Sequence, residues 1–322
     1  MVPSKRPTMR FRSLPNIAAG LVLVVASAVP LVAQPLFPGD AVVSRQTTAD
    51  QVVALEVVKA QSLGILLGTP GLASQPLALP KGRSILASEF GNNQVWAIAI
   101  DDGTGDIYAA VGPALYDPSS GPASPGIYRI PLNGSPVLWA TLPGQWGIGG
   151  LCVDRRSCAI FASNLDDGSI FRISLLDPND QSFFDPLLPD SGSPTMAPLG
   201  ERILGLSRHP QDQRLTYSVW ANDGINNGLQ NSVRSVDLDA SGAFLPATDR
   251  LEFSLPSLAS GVTMPAGDLE WNPLGTSLLI GELGIDSGSG TRVDGQSRAL
   301  RFDWNGAFWS LAPTFLGQLP AV

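Results

Sequence analysis

Four polar residues have side chains that could form a small-molecule or cation site. In the predicted strand pattern, Asn164 and Glu282 end strands, Glu201 precedes one, and Asp268 lies just inside another. Carboxylate and amide oxygens are the ligands that Ca²⁺ takes in proteins. All four residues are therefore candidates for ligand binding, and Asp268, Glu282 and Asn164 are the candidate metal ligands, provided that the fold brings them to one surface.

The elements that must position these residues are short β-strands. The stretch from Gly147 to Leu175 contains three apolar runs separated by two polar turns, which predicts three antiparallel strands. Three similar units can be aligned with it. The polar residues that end the first strands are Asp101, Asp154, His209 and Asn272, and the second strands end at Val111, Asn164, Trp220 and Glu282. The third strands are Ile127–Ile130, Ile170–Ile173, Val233–Val236 and Ala299–Phe302.

Such a repeat predicts the architecture. Four-stranded units that recur roughly every 50 to 65 residues are typical of a β-propeller, in which sheets stand radially around one axis. The first unit begins at Val95–Asp101, which pairs with Ile107–Val111. Four units and further strands in the N-terminal part give five blades, or six if that part contains more strands than the pattern shows. The N-terminal strands are predicted at Val52–Val58, Leu63–Leu67 and Ile85–Glu89.

Length and composition allow one large all-β domain or two smaller domains, and we expect a single domain over residues 49–322. The chain has 322 residues, of which 44% are hydrophobic and 15% charged, and it contains 34 Gly and 28 Pro. This is enough apolar material for a sizeable core, and the Gly and Pro content indicates many turns. Residues 34–48 are rich in proline and polar side chains, and we expect a flexible lead-in there.

Residues 1–33 have the pattern of a signal peptide. Lys5, Arg6, Arg10 and Arg12 precede an apolar run, and cleavage sites of small residues follow at Ala28 or Ala33. An uncleaved membrane anchor is the alternative, but the apolar run is short for a span. We expect export to the periplasm or the exterior, without membrane insertion after cleavage. Cleavage removes four positive charges and no negative ones, so the net charge of -8 becomes -12, which disfavours nucleic-acid binding.

The two cysteines lie on either side of a predicted tight turn. Cys152 is near the end of one strand and Cys158 at the start of the next. Such positions can face each other across a hairpin, and exported proteins meet an oxidising compartment, so we predict a Cys152–Cys158 disulfide. A redox or metal-binding dithiol is the alternative, but the pair lacks a nearby histidine that would complete a metal site.

The segments FASNLDDGSIFRIS, DDGTGDIY and APLGERILGL resemble those of the six-bladed propellers of the NHL-repeat, gluconolactonase and strictosidine-synthase-like superfamily, and of uncharacterised exported bacterial propeller proteins. The resemblance covers about residues 85–305 and implies six blades. It also implies where a lactonase would hold its metal. The matching positions are Trp96, Gly149, Leu204 and Gly267, whose side chains cannot bind a metal, so the usual ligand set is not present in its register.

Asp268 stands out within the repeat because the other units have small residues at its position, namely Ala97, Gly150 and Gly205. A buried carboxylate costs several kcal/mol unless it is paired, hydrogen-bonded or bound to a cation. Two interpretations remain open. Asp268 forms a calcium or water site with Glu282 and Asn164, or it accepts hydrogen bonds from backbone amides and joins two blades.

The sequence favours a binding or structural module over an enzyme. His209, the chain's single histidine, lies in a predicted surface turn, which disfavours a general-base role. Long loops should emerge on the channel-mouth face at Gly112–Gly126, Ala221–Ser232 and Leu283–Ser297, where they could bind a small molecule, a glycan or a protein. We expect a monomer. The alternative is a metal-dependent secreted hydrolase of the lactonase or esterase type.

Overall fold

The computed structural model describes residues 40–44, 53–59, 80–86, 94–112, 126–131, 134–187, 196–225, 228–256, 262–286, 298–312 and 317–318. These residues form 22 strands, so the predicted all-β class is confirmed. Over the same ranges, we find no helix with the length and apolar character to cross a membrane. The predicted signal peptide, and the predicted strand at Leu63–Leu67, lie outside the described residues.

The first sheet has three antiparallel strands and the order β1 (Asp40–Ser44), β2 (Val53–Lys59) and β3 (Pro80–Leu86). Strand β1 lies inside the segment that we expected to be a flexible lead-in. Strand β2 lies within one residue of its predicted bounds, whereas β3 begins five residues before Ile85.

Each of four further sheets contains four consecutive antiparallel strands, and we call these sheets blades 1 to 4. Blade 1 contains β4 (Gln94–Asp101), β5 (Asp106–Gly112), β6 (Gly126–Ile130) and β7 (Val137–Thr141). Blade 2 contains β8 (Ile148–Asp154), β9 (Ala159–Asn164), β10 (Ile170–Ser174) and β11 (Gln181–Phe184). Blade 3 contains β12 (Arg202–Arg208), β13 (Arg214–Trp220), β14 (Ser232–Leu238) and β15 (Phe244–Ser254).

Blade 4 is interrupted by a small extra sheet. A two-stranded sheet pairs β16 (Val262–Thr263) with β19 (Ile285–Asp286). The blade itself contains β17 (Ala266–Trp271), β18 (Ser277–Glu282), β20 (Arg298–Trp304) and β21 (Trp309–Leu311), and β22 (Gly317–Gln318) also pairs with β20.

The blades stand face to face as in a β-propeller. Their first strands are neighbours in the order β4, β8, β12 and β17. The second strands β5 and β9 are buried along their whole length, and this explains their continuous apolar runs. Apolar clusters fill the space between successive blades. Representative pairs of residues from facing blades are Tyr108 with Phe171, Phe161 with Tyr217, and Val233 with Leu269.

The number of blades corrects the prediction. Five to six blades were expected, and the described residues form four four-stranded blades. The difference arises in the N-terminal part, where β1, β2 and β3 form a sheet of three strands only. Within the four blades the predicted strand order and pairing are confirmed, including the pairing of Ile100 with Ile107.

Each first strand contains a one-residue bulge against its second strand. The register shifts occur between Val95 and Ala97, Ile148 and Leu151, Ile203 and Leu206, and Ala266 and Asp268. In blade 2 the bulge lets the backbone of the next blade approach closely, since a Cβ on Gly150 would lie 2.1 Å from the Leu204 carbonyl oxygen. Bulges bend a strand and increase its twist, which suits the crowded inner end of a blade.

The first hairpin turn of every blade is capped by the polar residue that ends the first strand. Backbone N–H groups donate to side-chain acceptors: Gly103 to Asp101 (3.1 Å), Arg156 to Asp154 (3.1 Å), Asp212 to His209 Nδ1 (2.9 Å) and Thr276 to Asn272 (2.8 Å). These caps confirm the repeat alignment. They also correct the surface position expected for His209, which is 7% exposed.

The predicted disulfide is wrong, because both cysteines are free. Cys152 lies opposite Phe161 in the ladder between β8 and β9, while Cys158 belongs to the turn and has a positive φ of 49°. The two residues are therefore not opposite each other in the hairpin. Burial raises the pKa of the Cys152 thiol to about 12, so it remains protonated at neutral pH.

Candidate functional site

Asn164 ends β9 and is buried, and its side chain stabilises the local backbone. Its Nδ2 donates to the carbonyl of Pro143 (3.0 Å), and its Oδ1 accepts from the N–H of Asp166 (3.0 Å). These bonds join the turn after β9 to the segment that leads into β8. The amide oxygen therefore already has a protein donor at the position proposed for a cation.

Glu201 precedes β12 and is half-buried. The turn that follows Asn164 packs against its backbone, since a Cβ on Gly168 would lie 2.3 Å from the Glu201 carbonyl oxygen. Gly168 also donates its N–H to the Asn164 carbonyl (3.0 Å). Asn164 and Glu201 thus lie at the same end of blades 2 and 3.

Glu282 ends β18, and its side chain is 1% exposed. Arg298 forms a two-point ion pair with it through Nε and Nη2, the second at 3.2 Å. Arg298 also donates to the carbonyl of Pro256 (2.8 Å). Burial raises the pKa of Glu282, and the Arg298 guanidinium opposes that shift. This carboxylate is satisfied within blade 4, in contrast to the free ligand that the sequence suggested.

Asp268 lies two residues from the start of β17, beside the end of β18, because Ala266 pairs with Glu282 and Asp268 with Gly281. Its side chain is exposed to solvent. Partial desolvation by neighbouring protein atoms raises the pKa of Asp268, and the N–H of Leu269 opposes the shift. Leu269 is the next residue of the same strand, so this amide does not join two blades.

A second carboxylate that sequence reasoning did not select lies on the same strand. Glu270 is two residues from Asp268 and therefore on the same side of β17. Burial raises the pKa of Glu270, and the Asp268 charge raises it further. The Glu270 charge also contributes to the raised pKa of Cys152, so this pair of carboxylates lies close to the first strand of blade 2.

The largest feature that sequence reasoning missed is an apolar cluster at the same end of the blades, which we call the mouth cluster. It contains residues from all four blades. Its buried members are Leu165, Leu204, Trp220 and Ile285, and its partly buried members are Trp96, Trp146, Met196, Leu199 and Leu283. A usable signal was present, because three tryptophans lie beside strand ends at the face where the long loops were predicted.

Polar groups fix the tryptophans of the mouth cluster. The indole N–H of Trp220 donates to Thr263 Oγ1 (2.8 Å) and to the carbonyl of Asn222 (2.9 Å), and the Arg202 guanidinium lies 4.8 Å from its ring. The Asp166 carboxylate accepts the backbone N–H of Trp146 (2.9 Å) and so fixes the main chain at that residue. Burial raises the pKa of Asp166, and its backbone donors oppose that shift. The Trp220 ring is thus held in place at two acceptors of its indole N–H.

The calcium site expected from Asp268, Glu282 and Asn164 stays a prediction. Within the described ranges, no group of three or more His, Cys, Asp or Glu side chains could hold a metal ion. Asn164 and Glu282 have protein partners, as above. Asp268 and Glu270 are two further carboxylates on one side of β17, and carboxylate oxygens are ligands of the type that Ca²⁺ takes.

Comparisons with known proteins define the class of this protein. Its fold is similar to that of a Bifidobacterium bifidum protein assigned as an exo-beta-1,3-galactanase, with TM-score 0.50, 12% identity, and 87% of this chain and 90% of that chain covered. A nidogen/laminin complex matches with TM-score 0.45 and 13% identity over 79% and 83% of the two chains. The Dos1 propeller matches with TM-score 0.40 and 9% identity over 75% and 48%.

At 12% identity the likeness to the Bifidobacterium protein shows the fold alone, and the four sheets with adjacent first strands show that this fold is a β-propeller. No protein-family model matches the chain, and no curated protein matches it at a significant level. The NHL-repeat and gluconolactonase membership suggested by the sequence motifs therefore rests on those motifs.

Proposed function

We propose that this protein is an exported binding module that holds a small molecule, a glycan or a protein at the end of the blades where the mouth cluster lies. The observation that supports this proposal best is the mouth cluster itself, since it collects tryptophans from blades 1, 2 and 3 beside apolar residues of blade 4. Tryptophan provides large, rigid contact area and is enriched where binding energy is concentrated.

The long loops begin at the same end of the blades. The segments 113–125 and 287–297 follow β5 and β19, and their conformation lies outside the described residues. The base of the third loop is firmly anchored. Asn231 Oδ1 accepts the N–H groups of Ala221 and Asn222, both at 2.9 Å, and its Nδ2 donates to the carbonyl of Met264 (2.7 Å). Loops on a rigid scaffold are a common place for recognition.

A loop exchange tests this proposal. Segments 113–125 and 287–297 would be replaced by short Gly-Ser linkers, and the variants screened with the parent chain against a glycan array and a metabolite panel. We expect at least one probe to bind the parent and not the variants, at unchanged thermal stability. The control replaces the turn Asp239–Ala243, which lies at the opposite end of blade 3 and should leave binding intact. Binding that survives both loop exchanges would rule out this face.

A metal-dependent hydrolase is the second candidate, and the carboxylate pair Asp268 and Glu270 is the observation that favours it. This function requires a divalent ion at that pair and hydrolysis of a small lactone or ester that stops on chelation. Elemental analysis of the pure protein, followed by assays with and without chelator, tests it. A metal-free protein with no such hydrolysis after calcium is added would exclude this candidate.

Export is part of the proposal and depends on residues 1–33. Expression of the full chain in a bacterial host, followed by N-terminal sequencing of the protein released from the periplasm, should give a mature chain that starts after Ala28 or Ala33. A chain that retains Lys5 and stays with the membrane fraction would support the uncleaved anchor instead.

A further inference from the structure

His209 joins blade 3 to blade 4 through its imidazole ring, and each of the two ring nitrogens has its own partner. Nδ1 accepts the N–H groups of Asp212 (2.9 Å) and Gln211 (3.3 Å) within its own hairpin turn. Because Nδ1 faces two donors, the ring proton lies on Nε2, which donates to the carbonyl of Gly275 in blade 4 (3.1 Å). The ring also packs edge-on against Trp271, with centroids 4.4 Å apart.

The same junction is built differently between the other blades. Blade 2 is joined to blade 1 by an ion pair between Arg155 and Asp101 (3.3 Å). Blade 3 is joined to blade 2 by an ion pair between Arg208 and Asp154 (3.1 Å). In the first hairpin turns of blades 1, 2 and 4 the capping atom is a carboxylate or amide oxygen, which can only accept hydrogen bonds. An imidazole nitrogen, in contrast, becomes a donor when it is protonated.

We propose that His209 is an acid-sensitive clasp, which closes the junction of blades 3 and 4 when its imidazole is neutral and opens it when Nδ1 takes up a proton. A protonated Nδ1 would point a hydrogen at the N–H groups of Gln211 and Asp212, so the turn could not keep its present form. The turn of blade 4 that receives Nε2 carries no charged side chain, since it consists of Asn272, Pro273, Leu274, Gly275 and Thr276.

Three charged side chains surround the His209 ring, and they differ in whether they favour its protonated form. Asp212 Oδ2 lies 3.5 Å from Nδ1 and is the charged neighbour that would favour an imidazolium, while Arg208 and Arg214 oppose it. Burial is the main reason why the pKa of His209 is lowered, and the Gly275 carbonyl and Asp212 oppose that shift. The neutral ring therefore contributes its full stability above the unfolded value of about 6.5 and loses it as the pH falls toward the lower folded value.

The chain's single histidine gives a direct measurement. The full chain, purified without a polyhistidine tag, would be followed by NMR from pH 7.5 to 5. We expect one Hε1 resonance that titrates below the midpoint of free histidine, together with loss of hydrogen-exchange protection at the amides of Gln211 and Asp212. The amides of Gly103 and Arg156 are internal controls and should remain protected. A midpoint at or above 6.5, or amides that stay protected after protonation, would overturn the clasp.

A matched variant separates the clasp from general acid effects. His209→Asn offers an amide oxygen to the turn, as Asn272 does in blade 4, and cannot be protonated in this range. We expect the melting temperature of the parent chain to fall by several degrees relative to the variant between pH 7.5 and 5. A difference that does not change with pH would contradict the clasp. If the variant fails to fold, the NMR titration of the parent still decides the matter.

Discussion

Glu282 carries a charge that is almost completely removed from water, and Arg298 is the side chain that balances it. Removing one partner of a buried pair leaves an uncompensated charge, at a cost of roughly 3–5 kcal/mol. We therefore expect Arg298→Met to lower the free energy of unfolding by about 3 kcal/mol in denaturant titrations at pH 7.5. Acidification should restore part of the loss, because a neutral Glu282 no longer needs a partner.

The same strand offers a control for this prediction. Arg301 pairs with Asp303 (2.8 Å), but both side chains are solvent-exposed, and such pairs contribute roughly 0–1 kcal/mol. Arg301→Met should therefore have little effect. The double variant Glu282→Gln with Arg298→Met should recover stability, since it removes the charge. If Arg298→Met and Arg301→Met lower the free energy of unfolding equally, the buried ion pair contributes no more to stability than the exposed one.

The cysteines allow a second test at the level of single residues. Cys158 is exposed and Cys152 is largely enclosed, with a thiol whose pKa is raised to about 12. In the native protein a thiol reagent such as DTNB should label Cys158 quickly, and Cys152 only after unfolding. Dithiothreitol should leave the melting temperature unchanged. A change of the melting temperature on reduction, or the absence of titratable thiols in denaturant, would show that the two cysteines do form a disulfide.

Single residues also show where the sequence was insufficient. The role of Glu282 depends on Arg298, which is separated from it by a long loop, so the pair could not be recognised before the pairing of β18 and β20 was known. His209 was placed in a surface turn because its flanking residues are polar. Its burial comes from the neighbouring turn of blade 4, which packs against it. Contacts between blades are long-range and leave little trace in a local pattern.

At the level of elements, strand order was predictable because each blade alternates apolar runs with Asp- and Gly-containing turns. The joints between first strands were not predicted. Ser163 Oγ accepts the N–H of Gly150 (2.8 Å) and donates to the Leu204 carbonyl in the next blade (3.3 Å). Ser218 repeats this bridge with Gly205 (2.7 Å) and the Ala266 carbonyl (2.6 Å). One hydroxyl thus satisfies a bulged backbone and joins two blades.

These serine bridges predict a measurable loss of stability. Ser163→Ala and Ser218→Ala each leave a buried N–H and a buried carbonyl without their hydroxyl partner, at a cost of roughly 1–3 kcal/mol. Ser182→Ala, at an exposed position of the outer strand β11, is the control and should be nearly neutral. Chemical denaturation of the three variants measures the difference. Identical midpoints for all three would mean that the bridges contribute nothing to stability.

For the whole molecule, the number of blades was the least predictable property. It depends on how strands from distant parts of the chain associate, and the N-terminal strands β1 to β3 lack the turn pattern that makes the four later units easy to align. Which residues lie at one end of the blades was predictable, because antiparallel strand order alone places Asn164, Glu282 and the start of β17 at the same end. What fills that end was not predictable, since the mouth cluster draws its residues from all four blades.

Substitutions at Asp268 and Glu270 distinguish the binding module from the hydrolase, because both residues lie where the first strands of the blades converge. Their raised pKa values mean that the folded chain holds their charges at a cost, so stability should increase as the pH falls from neutral toward the folded pKa values. Asp268→Asn removes one charge and should stabilise the protein at pH 7.5 by less than about 1 kcal/mol, since solvent screens the exposed side chain.

The gain from Asp268→Asn should shrink when Glu270→Gln is already present, because the two charges repel each other and neighbouring substitutions are not additive. Melting curves at pH 7.5 and 4.5, with and without chelator, measure both effects. A binding module whose carboxylates hold no cation predicts stabilisation by the substitution and no response to chelator. A hydrolase with a metal at this pair predicts that Asp268→Asn lowers the melting temperature, because the substitution removes a metal ligand. It also predicts that chelator lowers the melting temperature of the parent chain, because chelation removes the metal itself.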